Sequence, residues 1–522
     1  MTDVASATST GAGKKQHLGW ALVLISVAQL MVVLDGTIVN IALPFIQTDL
    51  DITPENLTWV VTGYALAFGS LLLLGGRLGD LYGRRKIFMI GLVIFGVASL
   101  LGGLANSEAT LLAARALQGL GAALASPAAL ALIATTFPAG PARNRAFAVY
   151  AAMSGVGAAV GLLLGGWLTG LSPEIFGTTV EGWRLTLLIN TPIGIVTALL
   201  APRFLSESES HPGELDLPGA VTGTLGLLGL VYGISRAGTD GWTDPWTLAS
   251  LGAGLLLLAT FLFIESRVEH PLLPTRVFAN RTRAASYLAM FFAPAAMFAM
   301  FFYLSQYIQS VMGYSSIEAG VAFLPFCIGL VIAAGISSNL INRVDPRILA
   351  GVGTLMAAVA LFGFSRIPHD TSLPIQDAAA SYWTDLFPYI LVMALGMGAT
   401  FVPLTLTAVH HLRAEDSGIG SGVLNTMQQV GGALGLSLLA TIASQTMDDL
   451  KATIAAAVPD GAQATPEQLA TAGQQIFAAG ASDAFLFGAG LMLLASLVTW
   501  IFLNVKHEEL ATDGPEGGVH IG

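Results

Sequence analysis

The sequence predicts an all-α polytopic membrane protein with both termini in the cytoplasm, which an internal loop repeat divides into two six-helix bundles with two helices inserted between them. Three observations carry this reading. Across 522 residues the chain is 54% hydrophobic and only 11% charged, with a mean hydropathy of +0.72, more apolar surface than a soluble protein could hide from water. Apolar segments of about 20 residues, long enough to cross a bilayer as helices, recur fourteen times. Basic residues gather in alternate loops, as the positive-inside rule requires. Only helices close their backbone hydrogen bonds within each isolated span, so the spans are helical.

Taken in order, residues 1–17 are small and polar, end in Lys14-Lys15, and read as a disordered cytoplasmic tail. The first apolar run, 18–45, is too long for a signal-peptide core, contains Asp35 and lacks a convincing cleavage site, so it is expected to stay attached. Spans follow at 57–76, 86–105, 109–136, 145–170 and 184–202, which closes an N-terminal bundle over 18–202. Segment 203–283 carries two inserted helices, 217–236 and 246–264, with their flanking loops. The C-terminal bundle, 284–504, holds spans at 284–310, 317–341, 347–366, 385–410, 417–446 and 481–504, and a cytoplasmic tail occupies 505–522. Outer loops at 367–384 and 447–480 are the longest polar connections. In the second, Thr465-Pro466-Glu467 places cap, proline and acid in helix-start order and predicts a short surface helix.

With this count, 17 of the 22 lysines and arginines fall on the cytoplasmic side, Arg184, Arg236, Arg366 and Lys451 fall outside, and Arg115 lies within a span. A missed span would scramble the bias from that point onward. The net charge of −11 is a surface property rather than a binding face, because the acids divide almost evenly between the two sides. A single cysteine, Cys327, sits in an apolar span and allows no intramolecular disulfide. His410 and His411 are adjacent, so on a helix they diverge by about 100° and make a poor metal pair. No metal site is expected. The absence of a Walker loop and of a nucleophile elbow argues against an ATP-driven pump or a hydrolase.

The segment Gly75-Gly76-Arg77-Leu78-Gly79-Asp80-Leu81-Tyr82-Gly83-Arg84-Arg85-Lys86 joins the second and third spans, and its glycines permit a tight turn. A degraded counterpart, Ser338 to Arg347, joins the tenth and eleventh spans. If the seventh and eighth are an insertion, this is the same loop of a second half, the internal repeat common in transporters. The first loop resembles the signature loop of the major facilitator superfamily, through Gly76, Asp80, Gly83, Arg84 and Arg85. Leu34 to Pro44 resembles a motif of its fourteen-helix drug/proton antiporter subfamily. Leu111 to Ala123, with Arg115, Gln118, Gly119 and Gly121, is similar to that family's fourth-helix motif. Trp183-Arg184, Asn190-Thr191-Pro192, Glu265 with His270-Pro271-Leu272, and Gly313-Tyr314-Ser315 add to the similarity, which covers residues 18–504. One departure stands out. In Gly157-Ala158-Ala159-Val160-Gly161-Leu162-Leu163-Leu164-Gly165-Gly166, Leu162 occupies the usual proline position of the antiporter motif. The glycine face at Gly157, Gly161, Gly165 and Gly166 is expected to pack at the interface between halves.

A charged group inside a membrane helix costs several kcal/mol and marks a pathway or a partner. With Pro44 as the outer end of the first helix, Asp35 lies nine residues inward, about 13 Å. Counted from Thr110, Arg115 lies roughly 8 Å deep. The resemblance implies that these helices are neighbours lining a central cavity. Asp35 is then the expected proton carrier, Arg115 its modulator, and Gln118, three residues further on, a member of the same network; a permanent ion pair that only locks two helices is the alternative. Asp80 and its arginines are expected to form a gate at the inner end. Asn40, Tyr303, Gln306, Tyr307, Asn425 and Gln428 are the candidate substrate contacts, with interhelical hydrogen bonding as their competing role.

The resemblance implies a proton-coupled multidrug exporter of small amphipathic, monocationic or neutral compounds, working by alternating access. Its alternatives are a transporter of one metabolite or antibiotic, or a non-transporting membrane sensor. The expected partners are substrate, protons and membrane lipids, with no nucleic acid and no cofactor beyond the proton as coupling ion. The expected setting is a monomer in a bacterial inner membrane.

Overall fold

The computed structural model describes residues 18–138, 141–175, 178–207, 215–369, 380–410, 417–457 and 465–508. The predicted tail 1–17, His411, and most of the tail 505–522 lie outside the described residues. The first half contains α1 (Leu18–Leu50), α2 (Pro54–Tyr82), α3 (Arg84–Gly103), α4 (Glu108–Thr136) and α5 (Pro141–Thr169), then a sixth span made of α6 (Gly182–Leu188) and α7 (Asn190–Phe204). The break after Leu188 has a local cause. Pro192 lacks an N–H, and its ring opposes the carbonyl four residues back, which is that of Leu188. The inserted hairpin is α8 (Leu217–Asp240) and α9 (Pro245–Glu265).

The second half contains α10 (Arg281–Gln306), a tenth span split into α11 (Ser316–Ala322) and α12 (Leu324–Leu340), α13 (Pro346–Phe364), α14 (Phe387–Val409), α15 (Ser417–Ala457) and α16 (Pro466–Phe502). Among the described residues, thirteen helical spans are long and apolar enough to cross a membrane; the apolar part of α5, Val156–Thr169, makes the fourteenth.

Several helices outrun their apolar segments. α1 continues through Pro44 to Leu50, so Pro44 is not its outer end. The predicted outer loop 447–480 is mostly helical, because α15 runs to Ala457 and α16 starts at Pro466. The expected surface helix is the first turns of α16, capped where predicted: Thr465 Oγ1 accepts from Gln468 N, and the Gln468 side chain accepts from Thr465 N at 2.9 Å. Outside the spans, Glu174–Ile175 and Thr178–Thr179 form a two-stranded antiparallel ribbon that the sequence did not predict.

Two distributions of apolar packing separate the ends of the molecule. Toward the outer end one continuous core crosses both halves, from Ile38, Leu43 and Ile46 of α1 and Leu162 of α5 to Met300, Leu304, Phe323, Phe326 and Phe485. Toward the cytoplasmic end each half has its own core. One contains Ile25, Phe88, Leu132 and Phe137; the other contains Val277, Tyr287, Met290 and Val498. The halves therefore share a core outside; inside they are packed on two cores that still meet along α2 and α15, where Leu73 packs on the second half's core beside Gly422. The hairpin lies along the seam between α2 and α15 and is bonded to both. Trp59 Nε1 donates to Ser235 Oγ (3.3 Å), and Thr441 Oγ1 donates to the Ile234 carbonyl (2.7 Å). Its α9 carries Leu255, Leu256, Leu262 and Phe263 exposed, a face suited to lipid.

Candidate proton and substrate site

Asp35 is fully buried inside the first half, where five helices supply its surroundings. Arg115 Nη1 of α4 donates to Asp35 Oδ2 at 2.6 Å and to Gln118 Oε1 at 2.8 Å. Gln118 Nε2 donates to Asp35 Oδ1 (3.0 Å) and to Ser99 Oγ of α3 (2.8 Å). Asn190 Nδ2, at the start of α7, also donates to Asp35 Oδ1 (3.0 Å). The helix break before Pro192 puts Asn190 at that first position. Arg115 is anchored at its other edge, with Nε donating to the Val60 carbonyl (2.8 Å), and its guanidinium lies 4.5 Å from the centre of the Tyr64 ring. A buried charge pair is sustained only when its remaining donors and acceptors are met, and here three amide or guanidinium groups converge on one carboxylate.

Asp35 and Arg115, placed at similar depth by counting residues, are thus in direct contact, and Gln118 joins them. Asn190, Ser99 and Tyr64 were missed as partners; the only sequence signal was the Asn190-Thr191-Pro192 triplet. The network faces the interior of its own bundle rather than a cavity between halves, since Asp35 and Arg115 are 0% and 1% exposed.

The glycines of α5 correct an expectation. Added Cβ atoms at Gly157, Gly161 and Gly165 would meet Val33, Thr37 with Leu34, and Ile38. These three glycines seat α1 within the first half, not against the second. Gly166 alone of the four crosses, approaching Ser316 and Ile317, and Ser316 Oγ donates to the Gly166 carbonyl at 2.9 Å. Leu162 is buried, and its carbonyl is approached by Gly320. α5 runs through it without a break.

Among the substrate candidates, Tyr303 and Tyr307 turn into the second half. Tyr303 packs against Phe477 and Phe485, and the Tyr307 hydroxyl donates to the Pro368 carbonyl. Beyond Gln306, residues 307–311 form a π-helical turn that rotates the register and sets Tyr307 apart from the α-helical face before it. Gln306 Nε2 is spent on the Phe302 carbonyl. Asn425 is exposed and bonds only its own helix, at Ser421, while half-buried Gln428 reaches Met290 Sδ at 3.6 Å. Asn40 folds back onto the Gly36 carbonyl.

Ser305 and Gln309, not predicted, are the α10-side residues that cross to α1. Ser305 Oγ donates to the Asn40 carbonyl (2.9 Å) and Gln309 Nε2 to the Ile41 carbonyl (3.2 Å). The first bond follows from Pro44: having no N–H, it leaves the carbonyl four residues back, that of Asn40, without a helical donor.

At the inner end Asp80 pairs with Arg84 at 3.0 Å, and Arg85 engages Glu207, through Nε at 3.5 Å and its backbone N–H at 2.9 Å. Gly83 has φ 100°, a backbone conformation that favours glycine, and a Cβ there would sit 2.8 Å from Glu207 Oε1. Gly75, rather than Gly76, makes the tight helix contact, against the Ala123 backbone. All of these contacts stay in the first half.

Among the described residues, sixteen α-helices in fourteen spans, an inserted hairpin and a buried charged network in one bundle define a transporter-type membrane protein. The chain belongs to the Major Facilitator Superfamily, whose family model matches residues 25–436. It is a multi-pass membrane protein and not an enzyme. It is 41% identical to the puromycin resistance protein pur8 of Streptomyces alboniger over 94% of this chain and 92% of that one. It is 35% identical to the cephamycin export protein CmcT of Amycolatopsis lactamdurans, over 100% and 99% of the two chains. The fold matches a crystallised bacterial homologue of the human lysosomal transporter Spinster, with a TM-score of 0.67 at 17% identity, covering 95% of this chain and 99% of that one.

Proposed function

We propose that this transporter exports small amphipathic compounds, monocationic or neutral, in exchange for protons, and that Asp35 is the proton carrier. The observation that carries the reading is a fully buried carboxylate held by Arg115, Gln118 and Asn190 on a helix whose outer part is tied to the other half. Protonating Asp35 would cancel its charge and leave Arg115 without its counter-ion. The strain falls on α1, which carries the Asn40 and Ile41 carbonyls bonded by Ser305 and Gln309. Proton loading and the outer seam are therefore connected through about one and a half turns of one helix. Asp80–Arg84 and Arg85–Glu207 would be broken and remade at the inner end in each cycle.

The names of the two relatives, a puromycin resistance protein and a cephamycin export protein, support an antibiotic-type substrate. Each names one drug or drug class, which favours a second reading: a transporter of a single antibiotic rather than of many compounds. In proteoliposomes with an imposed pH gradient, Asp35→Asn should abolish gradient-driven transport at normal protein levels; undiminished transport would sink the carrier role. A panel of unrelated drugs and dyes separates the two substrate readings.

A further inference from the structure

The inserted hairpin carries a pair of buried acids that the Asp35 network does not use. Asp216 caps the start of α8 and Glu265 ends α9, so the two mark the cytoplasmic base of the hairpin. Each residue is only 4% exposed. One oxygen of each is satisfied by backbone: Asp216 Oδ1 accepts from Gly219 N (2.8 Å), and Glu265 Oε2 accepts from Leu273 N (2.9 Å). The remaining oxygens, Asp216 Oδ2 and Glu265 Oε1, are buried with no donor. The hairpin packs with Gly226 against Leu258 and Gly223 against Phe261, a register that carries down to set Glu265 level with Gly219, one turn from Asp216, so the two carboxyl groups are neighbours. Among the described residues neither has an ion pair to a basic side chain. Arg267, the nearest base after α9, lies over the Phe263 ring at 5.2 Å, and Glu269 and His270 are exposed on the linker.

Two neighbouring carboxylates, out of water and without a cation among the described residues, cannot both be ionised. A proton between them supplies the donor that both free oxygens lack. We propose that Asp216 and Glu265 share one proton drawn from the cytoplasm and so form a second protonation site, a latch that closes the base of the α8–α9 hairpin and holds linker 266–273 on it. Losing that proton leaves two facing charges and opens the latch. The site is separate from Asp35 and does not depend on Asp35 carrying protons. It matters for the whole molecule because α8 is also bonded at its outer end to α2 and α15.

The test is an infrared titration of the full-length protein in nanodiscs, following the C=O stretch of protonated carboxyl groups. The wild type should show such a band at neutral pH that is lost in alkali, with the loss accompanied by a fall in melting temperature. Glu265→Gln and Asp216→Asn should each lack that band, since the amide supplies a permanent donor and Asn still caps a helix. Their melting temperatures should be flat over the same pH interval. A neutral-pH band unchanged in both variants would overturn the proposal. So would a wild type with no titrating band whose melting temperature rises with added sodium, potassium or magnesium, which would mean that a cation fills the pair. Should either variant not fold, the wild-type titration and the Asp216→Asn/Glu265→Gln double variant decide the same question.

Discussion

Asp35 is one acid with three side-chain donors, so single and paired substitutions there have different consequences. Arg115→Ala strands a buried carboxylate and should cost about 3–5 kcal/mol, read as a lowered melting temperature. Combining it with Asp35→Asn removes the stranded charge and should recover most of that loss, while coupled transport stays absent. If the double variant is no more stable than Arg115→Ala, the two side chains are not a charge pair. The charged members of this cluster were legible in the sequence because an acid or an arginine inside an apolar span is costly enough to require a reason. Asn190, Ser99 and Tyr64 were not, because uncharged polar residues are common in membrane helices and their partners lie on other helices. The position of Asn190 depends on a helix break, and Tyr64 engages Arg115 through its ring face, which no spacing rule encodes.

Single residues also set what whole elements do. Pro44→Ala would restore an N–H opposite the Asn40 carbonyl and compete with Ser305. The outer seam should weaken by about 1 kcal/mol, a roughly fivefold shift in the balance of states, detectable as a longer spin-label distance across the outer ends of α1 and α10. An unchanged distance distribution would remove Pro44 from the outer seam. Gly83→Ala should destabilise by about 1–2 kcal/mol from its positive φ alone, with the approach of Glu207 adding to it.

The repeated loop of the second half is held differently. Asp345 accepts from His507 N and contacts His507 Nδ1, both at 2.9 Å, and this partner holds the Asp345 carboxyl below its ordinary value of 3.8. A depressed carboxyl contributes stability that is full at neutral pH and is lost as pH falls through the depressed value. Limited proteolysis beyond Phe502 should therefore be slow at neutral pH, faster in acid below the usual carboxylate range, and fast at neutral pH in Asp345→Asn. Equal rates for wild type and variant would show that His507 does not restrain the tail. The number and order of these elements could be read from apolar length and loop charge, but their ends could not. Membrane thickness sets the apolar stretch, whereas α1, α15 and α16 continue into water on capping and local propensity. The π-helical turn after Gln306 likewise leaves no periodic trace, and it misdirected Tyr307.

For the whole molecule, the decisive feature is one apolar core across both halves outside and, inside, two cores that touch only where α2 meets α15 among the described residues, with Leu73 packed on the second. Such packing lets the halves move about the outer seam only if that seam opens in the opposite state, because closing the cytoplasmic end would otherwise require a bend within a bundle. The expected crossing by the α5 glycines survives at one place, where Gly166 meets the start of α11. One turn on, a Cβ at Gly170 would lie 3.4 Å from Ser316 Oγ, near enough for a disulfide to bridge the halves. In a Cys327→Ser background, Gly170→Cys with Ser316→Cys should cross-link under mild oxidant, and transport in proteoliposomes should fall to background in the cross-linked fraction. Reduction should restore it to the rate of the uncross-linked protein. Either single cysteine should be insensitive to oxidant. If fully cross-linked protein still transports, the outer seam stays shut throughout the cycle, and the joined core is a fixed hinge rather than one of two alternating closures.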